Sequence, residues 1–152
     1  MGKYLVLGLS AVLFWQAPTI ATLPAAPLIL AQSSTGNAQL DNLLREAKKY
    51  VDAKDFNNAV STYNQAVSLA PNNSRIYSGI GYLQTLQNNW NAAVNAYRQA
   101  TTLEPDNAEF AYALGYSLAN NGDLAGATEA YSNAIALDPN QVEYYMGLGT
   151  VF

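Results

Sequence analysis

The sequence repeats itself every 34 residues, and this period constrains the fold more than any other feature. Three consecutive copies share five positions: a closing proline, a leucine two residues before it, two alanines and a tyrosine. These are Pro71, Pro105 and Pro139; Leu69, Leu103 and Leu137; Ala66, Ala100 and Ala134; Tyr63, Tyr97 and Tyr131; and Ala59, Ala93 and Ala127. Small and aromatic residues at helical spacing, closed by proline at such a period, predict a solenoid of helix pairs.

The recurring residue types have a physical reason to share a helical hairpin. Ala93 and Ala100 keep one stripe of a helix thin, so a second helix can approach it closely. Tyr97 follows Ala93 by four residues on the same face and fills the gap between copies. Proline cannot continue a helix and disfavours helical geometry in the residue before it, so it separates the copies. We therefore expect Tyr63, Tyr97 and Tyr131 in the core.

The central copy resembles the tetratricopeptide repeat. In the order of the family pattern it supplies Tyr77, Ile80-Gly81, Trp90, Ala93, Tyr97, Ala100 and Pro105. The third copy matches from Leu114-Gly115 to Pro139, but Ala111 stands where an aromatic residue is expected. The resemblance covers residues 40–152 and implies an all-α solenoid of three full repeats plus the first helix of a fourth. The units are 40–73, 74–107, 108–141 and the partial 142–152.

Turn and cap residues predict the helix boundaries. After the opening helix, which starts near Leu40, the predicted helices are Phe56–Leu69, Ser74–Gln87, Trp90–Leu103, Ala108–Asn120, Leu124–Leu137 and one from Val142 onward. Asn121-Gly122-Asp123 is predicted as a turn and cap. Asp106 to Glu109 and Asn140 to Glu143 are predicted as capping boxes.

Residues 1–31 are interpreted as a signal peptide or an amino-terminal membrane anchor. Tyr4 to Trp15 is an apolar run of the length of a secretory core region. Cleavage after Ala31 is favoured over cleavage after Ala21, because cleavage after Ala21 would leave Leu23 to Ala31 as an exposed apolar tail on the mature protein. The first alternative is an uncleaved anchor, since Tyr4 to Ala31 carries no charge and is long enough to cross a bilayer. The second alternative is a buried helix of the fold. Residues 32–39 are predicted as a polar linker. We expect export to the periplasm or another extracytoplasmic compartment, or else membrane anchoring through residues 1–31.

Composition excludes several classes of function. A net charge of −4 with a pI near 4.5 argues against a nucleic-acid partner. The sequence has no histidine and no cysteine, so common nucleophile–base pairs, the commonest zinc sites, disulfides and a lipidated amino terminus are excluded. Gly79, Gly81, Gly147 and Gly149 fall within predicted helices and are interpreted as close helix contacts rather than phosphate loops. We expect no catalysis, cofactor or metal.

In the resembled family the first helices of successive units line a concave groove, and particular positions of those helices contact ligand. The resemblance implies a groove for a peptide or a partner helix at Leu44, Lys48, Arg75, Ser78, Tyr82, Tyr112, Tyr116 and Asn120, with Val51, Leu86 and Met146 at further groove positions. The alternative for the three tyrosines is packing within the array. Leu44, Tyr82 and Glu109 occupy family positions where a clamp for an acidic chaperone tail needs polar or basic residues, which argues against that subtype.

The sequence stops within the fourth unit, which leaves the apolar residues Tyr145, Leu148, Val151 and Phe152 without a second helix to cover them. We expect a fragment of a longer array, a short lid, or a second chain over this face. The predicted function is an exported, non-catalytic scaffold for protein interaction. The competing predictions are self-association through Tyr145, Leu148 and Phe152, and a docking segment of a longer enzyme.

Overall fold

The computed structural model describes residues 25–152, which form seven helices and contain no strand. The helices are α1 (Ala25–Asp52), α2 (Phe56–Leu69), α3 (Ser74–Leu86), α4 (Trp90–Leu103), α5 (Ala108–Asn120), α6 (Leu124–Leu137) and α7 (Val142–Gly149). Each helix packs against the next one in the chain, and α5 also contacts α7. The pairs α1/α2, α3/α4 and α5/α6 are hairpins, and α7 begins a fourth. The predicted all-α solenoid is confirmed.

The turn inside each hairpin uses the same backbone geometry one period apart. A residue with positive φ follows the first helix in all three, at Lys54 (59°), Asn88 (57°) and Gly122 (87°). The N–H of the next residue then donates to a carbonyl five residues back, as from Asp123 to Leu118 over 3.0 Å. This left-handed cap satisfies carbonyls that the helix end leaves open. It explains why the predicted helix boundaries agree with the structure within one residue from α2 to α6.

The predicted capping boxes are wrong by one residue. Asn107 immediately precedes α5, and its side chain accepts a hydrogen bond from the Phe110 N–H at 3.1 Å. The Asn107 N–H itself donates to the Glu104 carbonyl, so the turn after the proline is one residue longer than predicted. Gln141 precedes α7 and makes no side-chain cap. Glu109 and Glu143 instead lie in the first turns, where a carboxylate favours the helix dipole. Asp123 caps α6 as predicted.

The first helix begins earlier than the sequence predicts. Residues 32–39, predicted as a linker, lie inside α1. Pro27 falls in the first turn, where its missing N–H costs no helical hydrogen bond, and no later proline interrupts the helix. Residues 1–24 of the predicted targeting segment lie outside the described residues. Among the helices of residues 25–152, none combines the length and the hydropathy that crossing a bilayer requires.

Buried alanines and tyrosines form the core, as expected. The alanines of the second helices, such as Ala93 and Ala127, have no exposed surface. Tyr97 and Tyr131 are buried, whereas Tyr63 is half-buried and packs against the cluster of Ala66, Ile76, Ile80 and Ala96. Glycines face these rings. A Cβ at Gly81 would lie 2.8 Å from the Tyr97 ring, and one at Gly115 would lie 2.8 Å from the Tyr131 ring.

Replacing Gly115 by alanine tests this contact. We expect Gly115→Ala to destabilise the protein by about 1–3 kcal/mol, because the added methyl group must push the fully packed Tyr131 ring aside. Gly149 occupies the same place in the fourth unit, but a methyl group added there would meet no other atom within 4 Å. Gly149→Ala is therefore the matched control and should change the free energy of unfolding by no more than about 1 kcal/mol. Equal losses in urea denaturation would contradict the contact.

Candidate interaction surface

Two exposed tyrosines, Tyr82 and Tyr116, lie on the first helices of the second and third hairpins. The core face of α3 carries Ile76, Ile80 and Leu83, which leaves Tyr82 and Leu86 on the open side. Tyr82 is 54% exposed and Leu86 44% exposed. One period later on α5, Tyr116 is 42% exposed. The open side of these two helices therefore carries a ladder of large side chains.

Trp90 joins this ladder from the start of α4. Its ring meets the ring of Tyr116 edge to face, with centroids 6.0 Å apart and planes at 74°. The sequence identified Trp90 only as the aromatic residue that opens a second helix. We call Tyr82, Leu86, Trp90 and Tyr116 the tyrosine surface. The contact between Trp90 and Tyr116 spans two hairpins, so the ring of Tyr116 is held in place although its outer part faces water.

The polar residues predicted for the groove are exposed or half-buried, with local partners. Lys48 forms a salt bridge to Asp52 at 2.8 Å on the surface of α1. Asn120 donates to the Tyr116 carbonyl at 2.8 Å. Ser78 is half-buried and donates to the carbonyl of Arg75, which is itself exposed. These contacts hold the side chains in place without burying them, so they remain accessible to a partner.

Leu44 and Tyr112 do not belong to the open surface. Leu44 packs against the cluster that contains Ile76 and Ile80. The Tyr112 ring stacks on Tyr144 with centroids 5.0 Å apart and lies tilted 5.6 Å from the ring of Tyr131. Of the three tyrosines predicted for the groove, Tyr112 therefore packs within the array, while Tyr82 and Tyr116 are exposed. The reason is nonlocal, because the aromatic partner comes from the following unit.

The structure also forms a pocket that sequence reasoning missed, between the third and fourth units. We call it the carboxylate pocket, since Asp106, Glu109, Asp138 and Glu143 line it together with Tyr112 and Tyr144. Its volume is about 570 Å³. A signal was present in the sequence. Arg98 is the last basic residue, and every charged residue after it is acidic: Glu104, Asp106, Glu109, Asp123, Glu129, Asp138 and Glu143.

Burial controls the ionisation of the packed tyrosines. Burial raises the pKa of Tyr97 to about 12, the Thr85 hydroxyl works against that rise, and nearby Tyr82 adds to it. Burial likewise raises the pKa of Tyr131 to about 12, with further contributions from Tyr112 and Tyr116. The pKa of Tyr144 is raised by burial and then by the carboxylates of the pocket. All three rings therefore remain neutral hydrogen-bond donors at physiological pH.

The predicted self-association surface is only partly exposed. Tyr145 and Phe152 are exposed, while Leu148 and Val151 are partly buried against the core cluster around Tyr131. Tyr145 also donates to the Pro139 carbonyl at 3.2 Å, as Tyr77 does to Pro71. Of the predicted set, α7 presents only Tyr145 to solvent, and its other exposed apolar side chains are Val142 and Met146.

Comparison with known families supports the interpretation of the repeats. Two family models described as tetratricopeptide repeat match residues 42–73 and 86–142. The chain belongs to the tetratricopeptide repeat family. The two models together span most of the described hairpins. No functionally curated protein matches this sequence.

Solved tetratricopeptide repeat structures share the fold. MamA (residues 41 to the end) from Desulfovibrio magneticus RS-1 superposes with a TM-score of 0.69 at 21% identity. The match covers 74% of this chain and 63% of the solved MamA chain. The type III secretion chaperone SycD of Yersinia enterocolitica, in complex with a peptide of the translocator YopD, superposes with a TM-score of 0.67 at 18% identity. The match covers 74% of this chain and 91% of the SycD chain. The first tetratricopeptide domain of Spaghetti (RPAP3), bound to the HSP90 peptide SRMEEVD, superposes with a TM-score of 0.70 at 17% identity. The match covers 75% of this chain and 90% of that domain's chain.

Truncating one buried and one exposed tyrosine separates the core from the surface. We expect Tyr97→Ala to destabilise the protein by about 3–5 kcal/mol, because it leaves a cavity in the core against α3. Tyr82→Ala should cost under about 1 kcal/mol, since its ring faces solvent. Thermal and urea denaturation of both variants check this. If Tyr82→Ala unfolds the protein, the residue is structural.

Alkaline pH should destabilise the fold through the buried tyrosines. Their folded pKa values lie above the ordinary value near 10, so their contribution is complete below pH 10 and is lost as pH rises toward 12. The expected loss is about 1.4 kcal/mol per pH unit for each ring in that window. Urea denaturation across the window measures it. Tyr131→Phe should flatten the dependence and the exposed control Tyr145→Phe should not, and an unchanged slope in Tyr131→Phe would contradict the assignment.

Proposed function

We propose that this chain is a non-catalytic scaffold that binds an extended peptide or a partner helix on the tyrosine surface. The observation that carries the proposal is the exposure of two equivalent tyrosines, Tyr82 and Tyr116, one repeat apart on a core that is otherwise well packed. Side chains that repeat along a solenoid can contact a ligand that runs along it. Large, exposed aromatic residues on a folded surface are typical of interaction sites.

The tyrosine surface suits binding more than chemistry. Each tyrosine supplies a large amphipathic area at low entropic cost and keeps a hydroxyl for hydrogen bonds. Three engaged units support an affinity on the order of micromolar. The sequence lacks histidine and cysteine, so a scaffold that presents another molecule fits the available side chains better than a catalyst does.

Relatives give this proposal a precedent. The solved structures with this fold include domains bound to a YopD peptide and to an HSP90 peptide. The present chain differs from a receptor for an acidic tail, because Tyr82 and Glu109 stand at family positions where such receptors carry polar or basic residues. We therefore propose a different peptide class on the same side of the array. We also propose an extracytoplasmic location, which rests on the apolar segment Tyr4 to Trp15.

A second candidate function is self-association through α7. It is favoured by the exposure of Val142 (65%) and Met146 (66%) on a helix of only eight residues. Apolar side chains at this exposure are candidates for contact with another chain. Light scattering over a range of protein concentration distinguishes this function from the first. Growth of the particle with concentration, removed by Met146→Ser, supports self-association, and a constant mass excludes it.

Peptide capture tests the primary function. The immobilised protein is probed with a displayed library of random peptides, and the enriched peptides are synthesised and titrated. We expect the Tyr82→Ala/Tyr116→Ala variant to weaken their binding by at least tenfold, because two contact rings are lost. Tyr82→Phe/Tyr116→Phe keeps the rings and should retain most of the affinity. Asn133→Ala, in a separate crevice lined by α4, α5 and α6, is the control for surface mutation. Enriched peptides that bind the alanine variant normally would place the site elsewhere.

A further inference from the structure

The carboxylate pocket is a second feature of the surface, distinct from the tyrosine surface. Glu109 comes from the first turn of α5, Asp138 caps the end of α6, and Glu143 comes from the first turn of α7. The stacked rings of Tyr112 and Tyr144 lie among them. Three helices thus bring negative charge and aromatic surface together at one place.

Among the described residues, no lysine or arginine lines this pocket. The carboxylate of Asp138 accepts hydrogen bonds from the Asn140 N–H and from the Gln141 amide, both of which are neutral. Asp138 also lies at a helix carboxyl end, where the helix dipole disfavours a negative charge. Within residues 25–152 the salt bridge between Lys48 and Asp52 is the only one, and it lies in the first unit. The negative charge of the pocket is therefore available to an outside group.

Tyr144 gives an independent sign of a ligand. The residue is only 6% exposed, yet its hydroxyl makes no hydrogen bond to another described residue. No fully buried side-chain oxygen or nitrogen in residues 25–152 lacks a partner, so this hydroxyl reaches the open space of the pocket. Glu109, Asp138 and Glu143 lie near enough to add to the burial that raises the Tyr144 pKa. A buried ring thus presents an unused hydroxyl beside three carboxylates.

The preceding repeat shows how the same place looks when its charge is balanced. Arg75 and Glu104 occupy the positions that Glu109 and Asp138 occupy one unit later. There the Ser74 hydroxyl donates to the Glu104 carboxylate. Hydrogen bonds from Ser74 and Asn107, and to a lesser extent the charge of Arg75, lower the Glu104 pKa. The second unit therefore carries its own cation, while the next unit replaces it with another acid.

The geometry favours an organic cation over a metal ion. No three or more acidic side chains of the described part of the chain are close enough together to hold a metal. Carboxylates spaced around aromatic rings instead match a guanidinium or an ammonium group, which forms charge-assisted hydrogen bonds and lies against ring faces. Tyr112 precedes Tyr116 by one helical turn on α5, so the pocket adjoins the tyrosine surface.

We propose that the carboxylate pocket binds an arginine or lysine side chain of the peptide that lies on the tyrosine surface. This inference rests on the proposed function and specifies its partner, a peptide with apolar or aromatic residues over the tyrosine surface and a basic residue at the carboxyl-terminal end of the array. Glu109 and Glu143 accept from the basic group, and the Tyr144 hydroxyl completes its hydrogen bonding.

A matched pair of peptides tests whether the pocket requires a positively charged side chain. The probe is the acetylated and amidated peptide Gly-Leu-Arg-Gly-Leu-Arg-Gly, and its partner has citrulline, a neutral isostere, in place of both arginines. We expect the arginine peptide to bind the full chain at least tenfold more tightly in isothermal titration, with the difference reduced at high salt. Equal binding of the two peptides would overturn the proposal.

Variants then assign the preference to the pocket. Glu109→Gln/Glu143→Gln should remove most of the preference for arginine, and Asp138→Asn should reduce it several-fold. Glu46→Gln/Glu129→Gln removes the same charge from exposed sites outside the pocket and should keep the preference. If the control pair loses it equally, the effect is bulk charge and the proposal fails. Circular dichroism checks that each variant is folded. Tyr144→Phe, which keeps the ring and removes the hydroxyl, should weaken the binding of the arginine peptide but not that of the citrulline peptide.

The two proposals fail in different ways. If Tyr82→Ala/Tyr116→Ala weakens both peptides while the preference for arginine persists, both proposals are supported. If that variant abolishes binding but Glu109→Gln/Glu143→Gln changes nothing, the pocket proposal is overturned and the tyrosine surface stands. If only the glutamine pair affects binding, the pocket stands as a separate site and the proposed function of the tyrosine surface is overturned.

Discussion

The packing of a tyrosine ring against the bare backbone of a neighbouring helix is the contact on which this structure depends. Tyr131 illustrates it, since a methyl group added at either Gly115 or Gly147 would come within 3 Å of its ring. One ring therefore fixes the distance between two helices of its own hairpin and the first helix of the next unit. Because such contacts are rigid and local, a solenoid of this kind is stable without disulfides. It can also leave large side chains exposed on one side without losing its core.

The repeat separates what must stay constant from what can vary. The positions that pack around the tyrosine ring are nearly invariant across the three units. At the exposed positions the backbone geometry is the same in each unit, but the type of side chain changes. The second position of the unit holds Arg75, then Glu109, then Glu143. A small backbone unit thus presents opposite charges at equivalent places one period apart. This is how a solenoid acquires specificity, because each unit offers the same frame and a different side chain.

Local chemistry accounts for the part of the fold that the sequence predicted. The turns and caps around residues such as Asn88 and Gly122 are decided within a few residues, so their boundaries could be deduced from residue type. The length of α1 could not, because a polar stretch without proline is compatible with both a linker and a helix. The inward position of Tyr112 and the carboxylate pocket could not be predicted either. Both depend on Tyr144, which comes from the following unit, and contacts between units are set by packing rather than by local pattern.

The arrangement of the two surfaces has a consequence for how a peptide would bind. The tyrosine surface is uncharged and can contact an apolar segment in either direction, so area alone gives affinity without orientation. A cluster of like charges at one end removes this ambiguity, because only one orientation places a basic residue over Glu109 and Glu143. Electrostatic complementarity commonly contributes register and partner choice more than raw affinity. In this array the aromatic ladder would supply contact area, while the segregation of acidic residues beyond Arg98 would select the direction of the bound chain.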